Sequence, residues 1–231
     1  LFDSIDIAGD SGLKAHLTRA TIRTKENVIT SDQPVVVMME AGTINANQMT
    51  VRQKTKEYIF IDKVRTSLKA QDTSSATAAP NGAKEKTALP FGNSKDQINI
   101  VANRLDVNDA TKTALFTGGV KAVQGAAWLT SPELEVSYEG SHAAVAEGKP
   151  EPGPAQSGKV KRVIAKNPVV LSQGEGQQVT SQNADFDALE QKAVLEGDVV
   201  MSQAPDKRAV GDRAVIDQVA GTVLLTGTSV V

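Results

Sequence analysis

The sequence contains no cysteine and very few aromatic residues. Its 231 residues include one Trp, two Tyr and five Phe, so aromatic residues make up 3% of the chain. Without cysteine, disulfides, thiolate metal sites and cysteine nucleophiles are excluded. With so few rings, an aromatic stacking surface for single-stranded nucleic acid is not expected. The core must be aliphatic, and its Val, Ala, Leu and Ile residues suit β-strand packing.

Clustered charge and long apolar runs are also missing. The net charge is −2, and the longest basic stretch is Lys159–Arg162. Because a nucleic-acid surface needs a clustered excess of Lys and Arg, we expect no nucleic-acid partner. No run approaches the ~20 apolar residues of a membrane span. The chain opens at Leu1 rather than Met, so we expect a mature fragment whose missing N-terminus carried a signal or an anchor.

Residues that could carry catalysis or bind a metal are scarce. The two histidines, His16 and His142, lie far apart in sequence and are too few for a histidine-rich metal site. No G-x-S-x-G nucleophile elbow occurs. Carboxylates two residues apart share one face of a strand, most often the solvated one; such pairs are Glu133 with Glu135 and Asp185 with Asp187. We therefore predict no enzyme, no metal and no cofactor.

The chain does contain a repeated pattern. Within Ile98–Gln124 the spacing is small-x2-apolar-x-apolar-x8-apolar-x-Gly-x-apolar, starting at Ala102. Segments that start at Ala46, Ser181 and Gly211 fit the same template. In all four, the small residue precedes the apolar residue of the second strand by fourteen positions. Self-similarity of this kind indicates a tandem of one structural unit, and the unit here is a β-hairpin.

The spacing also predicts a bend inside each unit. Between Ala46 and Met49, and between Ala102 and Leu105, the apolar residues change from even to odd positions. Such a change turns the other face of a strand inward unless a bulge or corner absorbs the extra residue. Since no useful helical period of 3.6 appears, the predicted fold class is all-β. The Pro-, Gly- and Ser-rich segments 71–94 and 147–158 are predicted to be loops.

The apolar template residues have two interpretations. They either fill a sandwich core or line a groove for acyl chains, in which each buried CH₂ would contribute ~0.8 kcal/mol. Composition alone does not separate these alternatives. The lipid-groove candidates are the apolar positions of the template: Met49, Val51, Phe60, Val64, Leu105, Val107, Phe116, Val120, Phe186, Leu195, Val199, Ile216 and Leu225.

The repeats resemble the periplasmic lipopolysaccharide-export proteins of the OstA-like superfamily, which includes LptA and LptC. The resemblance rests on Ala102-x2-Leu105-x-Val107, on the run Phe116–Val120 (FTGGV) and on Leu195–Val199 (LEGDV). Residues 1–70 look like an LptC segment and residues 95–231 like an LptA jelly roll, with 71–94 as a linker or long loop. One departure is Asp62, which stands where these proteins usually have Gly.

The resemblance implies a twisted, open-ended β-jelly roll of repeated antiparallel hairpins whose interior receives the acyl chains of lipopolysaccharide. It implies a periplasmic location, possible tethering to the inner membrane, and a non-enzymatic role in a transport bridge. The implied partners are lipopolysaccharide, other jelly-roll transport proteins paired through edge strands, and an inner-membrane transporter complex. The alternative is a structural or adhesin-type β-repeat module that binds protein or glycan on its outer face.

Overall fold

The structure, a computed structural model, describes residues 5–8, 14–39, 42–69, 96–139, 159–174 and 176–227. The predicted loops at 71–94 and 147–158, and His142, lie outside the described residues. The first eight strands are β1 (Ile5–Ala8), β2 (Lys14–Leu17), β3 (Thr21–Arg23), β4 (Val28–Ser31), β5 (Val35–Met39), β6 (Gly42–Ala46), β7 (Gln48–Arg52) and β8 (Glu57–Leu68). The other eight are β9 (Ile98–Asn108), β10 (Thr113–Gln124), β11 (Ala127–Glu139), β12 (Lys159–Gln173), β13 (Gln177–Asp187), β14 (Lys192–Gln203), β15 (Lys207–Asp217) and β16 (Thr222–Thr226).

All sixteen strands belong to one open antiparallel sheet. From β8 to β16 each strand pairs with the next along the chain, as expected for a row of hairpins. At β8 the sheet divides into two branches. One half of β8 pairs with β7, which leads to β4 and β3, and the other half pairs with β6, which leads to β5, β2 and β1. The all-β prediction of repeated antiparallel hairpins is confirmed.

Each long strand has a break in register at its middle, for example between Thr117 and Val120 in β10. These breaks line up from strand to strand and divide the sheet into two arms. The first arm contains β1, β2, β5 and β6 with segments 64–68, 98–102, 120–124, 127–131, 169–173, 177–181, 199–203 and 207–211. The second arm contains β3, β4, β7 and β16 with segments 57–61, 105–108, 113–117, 133–139, 159–166, 183–187, 192–196 and 213–217.

The break allows apolar side chains to face inward in both arms. Ala102 and Leu105 are both buried, at 7% and 1% exposure, although they lie three residues apart on β9. In an unbroken strand they would point to opposite faces. The buried residues of both arms form one hydrophobic cluster. The bend predicted from the three-residue step is therefore present, and it encloses the core between two halves of a single sheet.

Left-handed backbone on alternate strands produces the bend. Gly118 and Gly119 have φ of 83° and 67°, a region that glycine enters without strain. At the same place on β8, Asp62 and Lys63 have φ of 63° and 51° with no glycine present. Asn47, the residue between β6 and β7, donates from Nδ2 to Oδ2 of Asp62 at 2.6 Å. Because Asp tolerates the left-handed region better than most residues and is hydrogen-bonded here, it can replace the expected glycine.

We predict that the two glycines at the bend of β10 differ in sensitivity to substitution. A Cβ on Gly118 would lie 2.8 Å from the Cβ of Asn103, whereas a Cβ on Gly119 would meet nothing within 4 Å. Gly119→Ala should cost only the left-handed backbone penalty of about 1 kcal/mol. Gly118→Ala should lower the free energy of unfolding by about 2–3 kcal/mol because it adds a steric clash. Urea unfolding of both variants checks this, and equal losses would refute the steric part.

Candidate functional site

The lipid-groove candidates lie on the inner faces of the two arms. Twelve of the thirteen are buried members of the hydrophobic cluster, and Leu225 is partly buried and packs against it. The fold thus brings together template residues from four different hairpins. This placement is common to both sequence interpretations, because a packed core and a lipid groove use the same face.

The interior is closed along the line of the bends, near the midpoints of the long strands. Leu105, Val120, Leu195 and Val199 are each no more than 1% exposed. At such burial the inner side chains pack against one another and leave no continuous channel between the arms. A guest molecule could therefore occupy this region only if the arms moved apart.

The interior opens at the end of the sheet formed by β13 to β16. A pocket of about 320 Å³ lies there between the arms. Its walls are mainly apolar, formed by Leu171, Val179, Met201, Ala209, Ile216 and Val223. Ile216 is the one predicted candidate among them. Met201 and Val179 were missed, although their even spacing from Val199 and Ser181 along the strands could have placed them on the inner face.

The pocket lies beside a part of β15 that pairs on one side only within the described residues. β16 pairs only with residues 213–217 of β15, in the second arm. In the first arm, residues 207–211 of β15 pair with β14 and, within the described residues, carry no strand on their other side. Residues 207–211 therefore form a free edge of the first arm next to the pocket.

Polar and cationic side chains surround the pocket opening. Gln177, Gln203, Lys207 and Arg208 contribute to it, and a wider, more polar depression beside it shares these residues and adds Asp206. Within the described part of the chain, neither Lys207 nor Arg208 takes part in an ion pair. With Asp206 nearby, the opening carries a net charge of +1. An apolar chamber with this opening suits an amphiphile that has an anionic head.

A second polar group lies at the free end of the second arm. Asp109, whose side chain is 3% exposed, forms an ion pair with Lys112. In this pair Nζ of Lys112 donates a hydrogen bond to Oδ1 of Asp109 at 2.8 Å. The only two tyrosines of the chain lie beside it. Burial, and then the charge of Asp109, raise the pKa of Tyr58 to about 12. The pKa of Tyr138 is raised further, by burial and then by Asp109 and Tyr58. Both phenols therefore stay neutral at physiological pH.

The other polar residues singled out from the sequence lie on the surface. His16 places Nδ1 2.7 Å from Oδ1 of Asp6 on the neighbouring strand. Glu133 accepts from Lys166 at 2.7 Å, and Asp185 accepts from Nε of Arg162 at 2.7 Å. Among the described residues, no group of His, Asp and Glu could hold a metal ion. Within the same ranges no helix has the length and hydropathy to cross a membrane.

Two family models match the chain. The model described as LptA/(LptD N-terminal domain) LPS transport protein matches residues 99–227, and the model described as lipopolysaccharide-assembly, LptC-related matches residues 8–69. These matches confirm the predicted resemblance.

Two individual proteins are also similar. An uncharacterized protein of Rhizobium meliloti (strain 1021), R00383, is 33% identical over 112 residues, which are 48% of this chain and 55% of that protein. The chain thus spans about half the length of this curated relative. LptH of Pseudomonas aeruginosa, described as the LptA homologous periplasmic component of the lipopolysaccharide transport device, has a TM-score of 0.43 and 14% identity. That alignment covers 57% of this chain and 82% of LptH.

The raised tyrosine pKa values predict a loss of stability at high pH. A phenol with a raised pKa contributes stability that is complete below its unfolded value of about 10 and disappears as pH rises through the folded value. The free energy of unfolding should stay constant up to about pH 10 and then fall. Tyr58→Phe should make the fall shallower because it removes one of the two phenols. Urea unfolding at several pH values measures this, and an identical fall in Tyr58→Phe would contradict it.

Proposed function

Because the chain belongs to the LptA/(LptD N-terminal domain) family of lipopolysaccharide transport proteins, we propose that it binds lipopolysaccharide between its two arms and passes it along a bridge across the periplasm. The observation that carries this proposal is the continuous apolar inner face, which ends in an open pocket. An inner-membrane transporter complex would supply lipopolysaccharide, and edge strands would join the chain to other jelly-roll proteins.

The inner face has the length and chemistry to receive acyl chains. Twelve neighbouring strand segments form the first arm, and at a strand spacing of ~4.8 Å they extend over about 50 Å. Each methylene placed there would contribute ~0.8 kcal/mol. Because the chains would replace side-chain contacts with equally apolar ones, parting the arms around them costs less than exposing the interior to water.

The pocket between β13 and β16 is the proposed place where lipid enters or leaves. Here the arms are already apart, so an acyl chain could insert beside Met201 and Ile216 without displacing packed residues. The phosphate groups of lipopolysaccharide would then lie near Lys207 and Arg208, which have no ion-pair partner among the described residues. Charge and shape at this end both match an anionic lipid.

The alternative, a structural or adhesin-type module, is favoured by one observation, the closed middle of the interior. A protein with that role would keep its core packed and would use its outer face. The two functions are separated by whether acyl chains reach the inner face.

Photocrosslinking tests whether the interior takes up lipid. A photoactivatable residue at position 116 or 201 should form adducts with lipopolysaccharide in cells, because Phe116 faces inward and Met201 lines the pocket. The matched control is position 117, whose side chain points to the opposite face of the same strand. Adducts at 201 alone would confine lipid to the end pocket. None at either position, in folded protein, would favour the adhesin alternative.

Charge reversal tests the cationic opening. The double variant Lys207→Glu with Arg208→Glu should bind lipopolysaccharide about tenfold more weakly in a direct binding titration. Lys63→Glu with Arg65→Glu makes the same change of charge on β8, away from the pocket, and should leave affinity nearly unchanged. Equal losses in the two variants would mean that overall charge, and not this opening, governs binding.

A further inference from the structure

The two family models meet at one ladder inside the sheet. The LptC-related match ends at residue 69, just after β8, and the LptA-type match begins at residue 99, within β9. β8 and β9 pair along their whole lengths, from Glu57 opposite Asn108 to Leu68 opposite Ile98. The parts of the chain that match different families are thus neighbours in one sheet.

The apolar interior continues across this ladder. Phe60 lies opposite Leu105 in the second arm, and Val64 lies opposite Ala102 in the first. All four are buried members of the same cluster. The register break of β8, between Ile61 and Val64, falls level with the bend of β9, so the two matched parts share both arms.

Polar contacts at the β8–β9 ladder repeat those found inside each part. Asp109 N–H donates to the carbonyl of Lys56 at 3.0 Å, which links two successive hairpin turns. The equivalent bonds, also 3.0 Å, run from Gln53 to Asn27 in the first part and from Gln218 to Gln191 in the second. In addition, Ser67 Oγ donates to Oδ1 of Asn99 at 2.8 Å across the ladder.

Tyr58 and Asp109 add an electrostatic interaction across this ladder. Tyr58 belongs to the LptC-related part, and the carboxylate that acts on it lies in the LptA-type part, with Tyr138 beside both. Separation of the parts would uncover this buried carboxylate. It would also expose the bare edges of two long strands, which readily pair with other chains.

From these contacts we infer that the β8–β9 ladder is a self-sufficient docking interface between two modules. Within one chain, this ladder forms a joint that two separate proteins would have to form by association. We expect the two modules to stay together even when the chain is cut within residues 70–95. One consequence concerns partners. Since β8 and β9 occupy each other's edges, the strand edges that remain open to other proteins among the described residues lie at β1 and β3 and at β15 and β16.

Cutting the full chain tests this inference. A recognition sequence for a site-specific protease is inserted between Gly82 and Ala83, and the folded protein is cleaved. If cleavage requires urea, the two pieces are refolded together. We expect them to elute from a sizing column as one complex of the original mass at about 1 µM, and Trp128 fluorescence to match that of the uncut chain. Separate elution of the unmodified pieces would overturn the inference.

Two phenylalanine variants of the cleavable chain locate the interface. Phe60 and Phe186 are both buried on the inner face of the second arm, at 2% and 4% exposure. Phe60 packs at the joint, whereas Phe186 pairs within the later module with Val163 and Ala193. Phe60→Ala should raise the Kd of the cut pieces at least about 100-fold, and Phe186→Ala should change it little. Equal effects would show that general destabilisation, and not this ladder, controls association.

The test uses no lipid, so its result is separate from that of the proposed function. Pieces that stay together in a protein without lipopolysaccharide adducts would support the joint and reject the transport role. Pieces that separate, in a protein whose intact form binds lipid, would reject the joint and support the transport role.

Discussion

The change of strand parity at the bend is the constraint on which the rest of this structure depends. Every long strand carries inward-facing apolar residues on both sides of its midpoint, and only a break in register can satisfy both halves. Left-handed residues supply the break on alternate strands, as glycine in β10 and as the hydrogen-bonded Asp62 in β8. The sheet therefore folds over itself, and its two halves bury one common core.

A sheet that folds over itself in this way does not close into a ring of strands, so its two outer ends stay open. Among the described residues, its inner face is covered where the two arms pack on each other and is accessible at the pocket near β16. Beside the bends, residues such as Val199 and Leu195 are completely buried, whereas a chamber remains open between the arms beside Ile216. The proposed entry of lipid depends on this difference, because acyl chains can reach the interior first where packing is already incomplete.

Charged side chains on the outer face and beside the pocket differ in whether they form ion pairs. On the outer face of the second arm, ion pairs link neighbouring strands, as between Arg213 and Glu196 at 3.1 Å. Such exposed pairs contribute little stability, since solvent screens them. Lys207 and Arg208, beside the pocket, have no such partner within the described ranges, and the buried Asp109 lies at the opposite end of the strands. Two cations without an ion pair among the described residues thus lie beside the pocket, where an anionic ligand would meet them.

The sequence by itself determined the local features of this protein. Template spacing predicted hairpins, the step from Ala102 to Leu105 predicted the bend, and the resemblance to lipopolysaccharide-export proteins agreed with the family matches. These signals are local because strand periodicity and turn chemistry act over a few residues. The tertiary structure alone decided the pairing of β8 with β9, the meeting of Tyr58, Asp109 and Tyr138, and the pocket between the arms near β16. Those features depend on which edges meet across long separations in the chain, and no spacing within a single hairpin encodes that choice.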